Sequence, residues 1–227
     1  MGEVLRLQAK DGHELDGYVA RPAGEPIGGL VVVQEIFGVN AHIRSVTDGW
    51  AKDGYLAVAP ALFDRVERGV ELQYSGADME KALSFIPKLN MEKSLMDVAA
   101  ALEWVKAETG KKSGVVGYCF GGSLAWLAAT RLRADAAVGY YGGQIARHLD
   151  ETPECAVMLH FGKLDKHIPQ TDVDRIEQAH PEVQVFRYEA DHGFNCDARA
   201  SFDAESARVA RERSVEFFEK QLLAVGC

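Results

Sequence analysis

The stretch Ser113 to Leu124, SGVVGYCFGGSL, constrains this chain more than any other. Gly114-Val115-Val116 is a short apolar run suited to a buried strand, and Ser123-Leu124-Ala125-Trp126-Leu127-Ala128-Ala129 is rich in good helix formers. Between them lies Gly117-Tyr118-Cys119-Phe120-Gly121-Gly122. A turn that sharp leaves no room for a β-carbon at Gly117 or Gly121, and glycine relieves its strained dihedrals. Strand, turn and helix in that order form a G-x-nucleophile-x-G elbow with Cys119 at its tip. The elbow lifts the sulfur clear of the sheet and sets it beside a helix N-terminus, whose positive dipole end favours thiolate. A small buried cysteine in a glycine-rich turn is the other reading, and the motif is weak until partners for the sulfur are found.

The flanking pattern says what kind of sheet carries the elbow. Val4 to Leu7 and Leu15 to Ala20 alternate like strands around an Asp11-Gly12 turn, which predicts an N-terminal antiparallel hairpin. Runs at 29–33, 55–59, 136–141, 156–161 and 183–188 read as further strands. Helices are expected over 41–53, with Asn40 as N-cap and Gly54 past the end, over 91–108, over 171–179 capped by Thr171, and over 202–225. The last would bury Val209, Val215, Phe217, Phe218 and Leu222. Residues 61–90 carry no clear period beyond a short helix over 79–85 stopped by Pro87, and read as an insertion over the active face. The fold class is α/β: a mostly parallel sheet with helices on both faces, in a single domain over 1–227. Ligands of such sheets sit beyond the carboxyl ends of the strands, so functional groups should follow strands.

Two more candidates do. Asp165 follows the strand ending at Phe161, and His192 follows the strand ending at Tyr188. The chain order nucleophile, acid, histidine is that of the α/β-hydrolases. The residue types suit the chemistry: His192 exchanges a proton near neutral pH, Asp165 would fix its tautomer and stabilise its cation, and a thiolate beside an imidazolium is a nucleophile. Asp191 is a rival acid too close in sequence to align with the ring, His167 a rival base, and His160 a core histidine. His13, His42, His148 and His180 read as surface positions. Glu35 ends a buried strand and is either an exposed strand-end carboxylate or one aimed at the Cys119–His192 site. The backbone amides of Ile36 and Phe120 would form an oxyanion hole, a device contributing roughly 3–4 kcal/mol to transition-state stabilisation. Phe37, Tyr118, Tyr141 and Phe194 are candidate substrate-binding side chains.

A net charge of −9 over 227 residues disfavours nucleic acid and, more weakly, an anionic membrane surface. No apolar run is long enough to span a bilayer, and Met1-Gly2-Glu3-Val4-Leu5-Arg6 lacks the pattern of a secretory signal. The four cysteines, Cys119, Cys155, Cys196 and Cys227, form no C-x-x-C pair, so a zinc site is not expected and free thiols in a reducing cytoplasm are.

Gln34-Glu35-Ile36-Phe37-Gly38-Val39-Asn40, Gly117-Tyr118-Cys119-Phe120-Gly121-Gly122, Val138-Gly139-Tyr140-Tyr141-Gly142 and the Asp165/His192 pair resemble the dienelactone hydrolase family over nearly the whole chain. The resemblance implies an α/β-hydrolase fold, a Cys119–His192–Asp165 triad, and a Glu35 that controls the ionisation of Cys119 when substrate binds. It implies no metal or organic cofactor; the expected partner is a small-molecule ester or lactone substrate, and the expected state a monomer or weak homodimer. In the family, arginines that hold the substrate carboxylate precede the long helix and follow the histidine by four residues. Here Cys196 and, by alignment, Met79 or a neighbour stand there, with Arg65, Arg68 and Arg199 as possible substitutes. The expected reaction is therefore opening of a dienelactone-like lactone or cleavage of a small ester through an acyl-enzyme. The alternatives are a carboxylesterase, thioesterase or acyltransferase on a more neutral substrate, and a non-catalytic redox-responsive thiol protein.

Overall fold

A computed structural model describes residues 2–223, so Cys227 and the end of the last expected helix lie outside the described residues. The strands are β1 (Glu3–Gln8), β2 (Glu14–Ala20), β3 (Gly28–Val33), β4 (Tyr55–Pro60), β5 (Ser113–Tyr118), β6 (Ala136–Tyr140), β7 (Ala156–Gly162) and β8 (Gln184–Tyr188). They form one eight-stranded sheet in the order β1-β2-β4-β3-β5-β6-β7-β8. The β1–β2 and β2–β4 pairs are antiparallel and the rest parallel. The α-helices are α1 (Ala41–Lys52), α2 (Gly76–Phe85), α3 (Met91–Thr109), α4 (Phe120–Arg131), α5 (Gln170–Ala179) and α6 (Ala204–Leu222). None is long and apolar enough to cross a membrane.

Helices cover both faces, and β5 shows which goes where. A β-carbon on Gly114 would meet Phe218 of α6, and one on Gly117 would meet the backbone of α4. Positions 114 and 117 point to opposite faces of a strand, so α6 and α4 lie on opposite sides of the sheet. Trp50 of α1 packs edge-on against Phe218 at 5.4 Å, which puts α1 with α6. Strands β3 to β7 are buried almost throughout, which explains their continuous apolar runs.

Several expectations change in detail. Helix α4 begins at Phe120, inside the elbow, rather than at Ser123. Helix α5 begins at Gln170 with Pro169 at its cap, not at Thr171, because Pro169 supplies a fixed φ and needs no donor there. Helix α6 begins at Ala204, where the Asp203 carboxylate accepts from Ser206 N at 2.8 Å. Val209 and Val215 are only half-buried, and the buried face includes Ser214. Ser214 Oγ lies 3.0 Å from His160 Nε2, whose Nδ1 lies 2.8 Å from the Tyr188 hydroxyl. His160 is thus the satisfied core histidine expected. His42 and His180, read as surface positions, are buried: His42 Nδ1 donates to Asp197 at 3.1 Å, and His180 lies against Leu149 O at 3.0 Å.

The insertion at 61–90 is more ordered than its sequence suggests. A single 3-10 turn (Leu62–Arg65), α2 and a second turn (Ile86–Lys88) enclose a small apolar cluster of their own, in which Phe63, Val70, Leu72, Ala82 and Phe85 pack with Phe37. Polar ties fasten it to the loop after β3: Leu72 N donates to Phe37 O at 2.9 Å, Asn40 Nδ2 to Leu72 O at 2.9 Å, and Leu62 N to Gln34 Oε1 at 3.0 Å.

Candidate active site

The elbow has the geometry its glycines imply. Cys119 sits at φ 55°, ψ −113°, a left-handed conformation rare for a residue with a side chain. A β-carbon on Gly117 would lie 1.8 Å from Gly121 O, and one on Gly121 would lie 2.3 Å from Val33 O. Cys119 N donates to Tyr140 O at 3.0 Å and Gly122 N to Cys119 O at 3.0 Å, which fixes the turn to the sheet. The sulfur-bearing residue is only partly buried, at the head of α4.

Asp165 and His192 meet beside it. His192 Nδ1 donates to Asp165 Oδ2 at 2.7 Å. The other carboxylate oxygen accepts from His167 N at 2.8 Å and Ile168 N at 3.2 Å, so the turn after β7 aims the acid. Burial works against a charge on the imidazole, but the bond to Asp165 and the neighbouring Cys119 sulfur outweigh it and hold His192 well above the usual histidine range. Asp191 Oδ1 is occupied by His192 N at 2.6 Å, a local turn contact away from the ring. His167 stands edge-on to the His192 ring at 5.2 Å, exposed at the rim.

Cys119, His192, Ile36 and Phe120 line a cavity of about 510 Å³. Phe120 is the first residue of α4, where backbone N–H groups have no intrahelical acceptor. The N–H of Ile36 likewise finds no acceptor among the described residues. Phe37 lines the same cavity. Tyr118, Tyr141 and Phe194 do not, which corrects the sequence-based expectation that they contact substrate. Each is fully buried. Strand alternation turns Tyr118 into the core one residue before the sulfur. Tyr141, at φ 37°, lies 5.0 Å from the His192 ring with Phe194 edge-on behind it at 5.4 Å. They form the bed on which the imidazole rests rather than the walls of the cavity.

Glu35 is buried, and neither carboxylate oxygen has a hydrogen-bond partner among the described residues. Its counter-charge is Arg199, whose Nη1 lies 3.5 Å from Glu35 Oε1. Arg199 lines the cavity while Glu35 stands behind it. The guanidinium lies 5.8 Å from the ring centres of Phe37 and of Tyr74, and presses so closely on Gly193 that a β-carbon there would come within 2.7 Å of it. Glu35 is also felt by its neighbours: burial first, and then its negative charge, push the Cys196 thiol up to about 11 and hold the Tyr141 phenol un-ionised.

Of the other arginines singled out, Arg65 is bonded to Asp97 and Asp11, and Arg68 to Asp64 and the Glu14 carbonyl. Arg199 alone of the three lines the cavity. Met79 lines it too, with Leu83, Ile86, Leu89, Met91 and Ile168. The spacing of Met79, Leu83 and Ile86 was the signal available for that wall. His42, Cys196 and Asp197 are the one group among the described residues whose ligating atoms lie close enough, within 4.8 Å, to hold a metal ion.

An elbow between β5 and α4, with an acid after β7 and a histidine after β8, defines an α/β-hydrolase, and solved structures agree. A crystal structure of a Klebsiella pneumoniae protein named "Putative Dienelactone Hydrolase" superposes with a TM-score of 0.84 at 30% identity, covering 97% of this chain and 98% of that one. A dienelactone hydrolase-like promiscuous phosphotriesterase from metagenomic libraries shares the fold at a TM-score of 0.75 and 19% identity, covering 97% of this chain and 99% of that one. The chain belongs to the dienelactone hydrolase family, whose model matches residues 15–222. The carboxymethylenebutenolidase of Pseudomonas putida is 34% identical over 224 residues, covering 95% of each chain. The protein is accordingly a hydrolase of carboxylic ester or lactone bonds.

Proposed function

We propose that the protein is a cysteine-dependent hydrolase that opens a lactone, or cleaves a small ester, through a covalent acyl-enzyme. The observation that carries this is the Asp165–His192 pair, bonded at 2.7 Å, with His192 and Cys119 lining one cavity. In this reading the sulfur attacks the carbonyl carbon, and the developing oxyanion is received by the N–H groups of Ile36 and Phe120. His192 gives its proton to the departing alkoxide, which in a lactone remains tethered to the acyl group. It then takes a proton from the water that releases the acid and restores the thiol. Asp165 keeps the Nδ1–H tautomer and stabilises the imidazolium between the two steps. Glu35 acts from behind the wall. Its negative charge opposes a second negative charge nearby and is offset by Arg199. A substrate carboxylate that drew Arg199 to itself by a bidentate pair would leave Glu35 unpaired and alter the field at the sulfur.

Turnover of a butenolide and of p-nitrophenyl esters by wild type, Cys119→Ala and Cys119→Ser tests the assignment. The alanine variant should be inactive and the serine variant poor, since an alcohol needs a stronger base than a thiol. Wild-type rates in Cys119→Ala would overturn it. A wild-type protein without turnover under reducing conditions, on a broad ester panel, would favour the redox-responsive reading. Rates with added alcohol or amine acceptors separate hydrolysis from acyl transfer.

A further inference from the structure

Helix α2 carries two apolar stripes, and the protein buries only one of them fully; on the second, Met79 is half-buried at the edge of the same cluster. Ala82 and Phe85 are buried in the small cluster with Phe63, Val70, Leu72 and Phe37. Met79 and Leu83, with Ile86 in the turn that follows, recur at the i, i+4, i+7 spacing of one helix face and line the cavity that holds Cys119. Leu83 and Ile86 are 51% and 47% exposed, two of the few large apolar side chains left open to solvent. Leu89 and Met91 extend this wall, and Ile168 is apolar as well. The stripe from Met79 to Ile86 is roughly 10 Å long at 1.5 Å per helical residue. The cavity, at about 510 Å³, lies within the range of about 300–1,000 Å³ that buries ligands much larger than a compact lactone.

We propose that the second stripe of α2 is a binding lobe for an apolar arm of the substrate, so that the substrate class is an ester or lactone with a medium-length alkyl or aryl arm. The inference rests on the hydrolase reading above and deepens it. The reacting carbonyl lies at Cys119 between the amides of Ile36 and Phe120, while the arm runs along Met79, Leu83 and Ile86 and removes them from water. The continuity of the stripe with the nucleophile names the substrate as its occupant, and with no charged side chain among Met79, Leu83 and Ile86 the arm that lies along them is apolar, leaving any substrate carboxylate to Arg199.

The test is kcat/KM for p-nitrophenyl acetate, butyrate and octanoate and for the acetate esters of ethanol, butanol and octanol, with wild type, Leu83→Asp and Ile86→Asp. Both positions are open to solvent, so the charge does not threaten folding. Lengthening at least one side of the ester should raise kcat/KM at least tenfold, mainly through KM, and each aspartate should lower the long-to-short ratio at least tenfold. A flat or falling profile on both sides, or a ratio unmoved by both variants, would overturn the lobe. Sedimentation measured in parallel covers the remaining occupant: a dimer dissociated by Leu83→Asp, with the ratio unchanged, would assign the stripe to a second copy and also overturn the proposal. Persistent activity of Cys119→Ala would sink the hydrolase reading itself; a Cys119-dependent enzyme without the length preference would sink only the lobe.

Discussion

Arg199 Nη1 lies 3.5 Å from Glu35 Oε1, and that guanidinium is the ion-pair partner of a carboxylate with no hydrogen-bond donor among the described residues. Removing one partner of a buried pair strands the other. Arg199→Ala should therefore destabilise the fold by roughly 3 kcal/mol, and Glu35→Gln in that background should recover most of the loss. Denaturant unfolding of the two single variants and the double variant measures this directly. Additive losses would show that the two charges do not sense each other.

His192 makes a second pair testable by pH. Its folded-state pKa lies above the unfolded one, so the Asp165–His192 pair contributes stability that is fully present below about pH 6.5 and is lost as pH rises through a folded value of about 10. The stability gap between wild type and Asp165→Asn should be widest near pH 6 and close toward pH 10. The same variant should lose roughly a hundred- to ten-thousand-fold in kcat/KM, because the ring no longer has its tautomer fixed. A gap that widens with pH would contradict the sign.

His160 has the opposite sign. Burial holds its folded-state pKa down to about 3, so it stays neutral in the core while the unfolded chain takes up a proton below about pH 6.5. Its contribution is present above that value and fades as pH falls toward 3, at about 1.4 kcal/mol per unit. His160→Gln should be less stable than wild type at pH 7, through its bonds to Tyr188 and Ser214, yet lose less on acidification. Urea unfolding at pH 7, 6 and 5 reads both effects.

Gly121→Ala should fail at the level of folding. Its β-carbon would need the space of the Val33 carbonyl, and both are backbone-bound, so neither can yield. We expect a loss of at least about 3 kcal/mol, the range of severe core overpacking, seen as insolubility or a lowered Tm. Gly12→Ala, with nothing within 4 Å of the added carbon, is the control for its left-handed backbone alone.

How far the sequence foretells such features depends on whether the cause is local. The elbow was legible because Gly117 and Gly121 flag a tight turn and the apolar run before them flags a strand. The cap at Asn40 was legible because its side chain does accept from Ile43 N at 3.1 Å. Asp165 and His192 could be placed because strands end just before them. The orientation of Tyr118, Tyr141 and Phe194 was not legible, since which face an aromatic takes depends on strand register and on a left-handed residue at 141. Nor was the burial of His42, whose ring nitrogen finds its partner in Asp197, 155 residues away. The insertion was read as irregular because its small core is built from residues brought together by loops, with no period to betray them.

The left-handed backbone at Cys119 has a consequence for the molecule's durability. An L-residue there carries roughly 1–2 kcal/mol of conformational strain that glycine would not. Cys119→Gly should thus make a sturdier protein with no nucleophile, and pressure for robustness alone would erode the chemistry. Descendants of this chain that had lost their reaction would persist in excellent physical health.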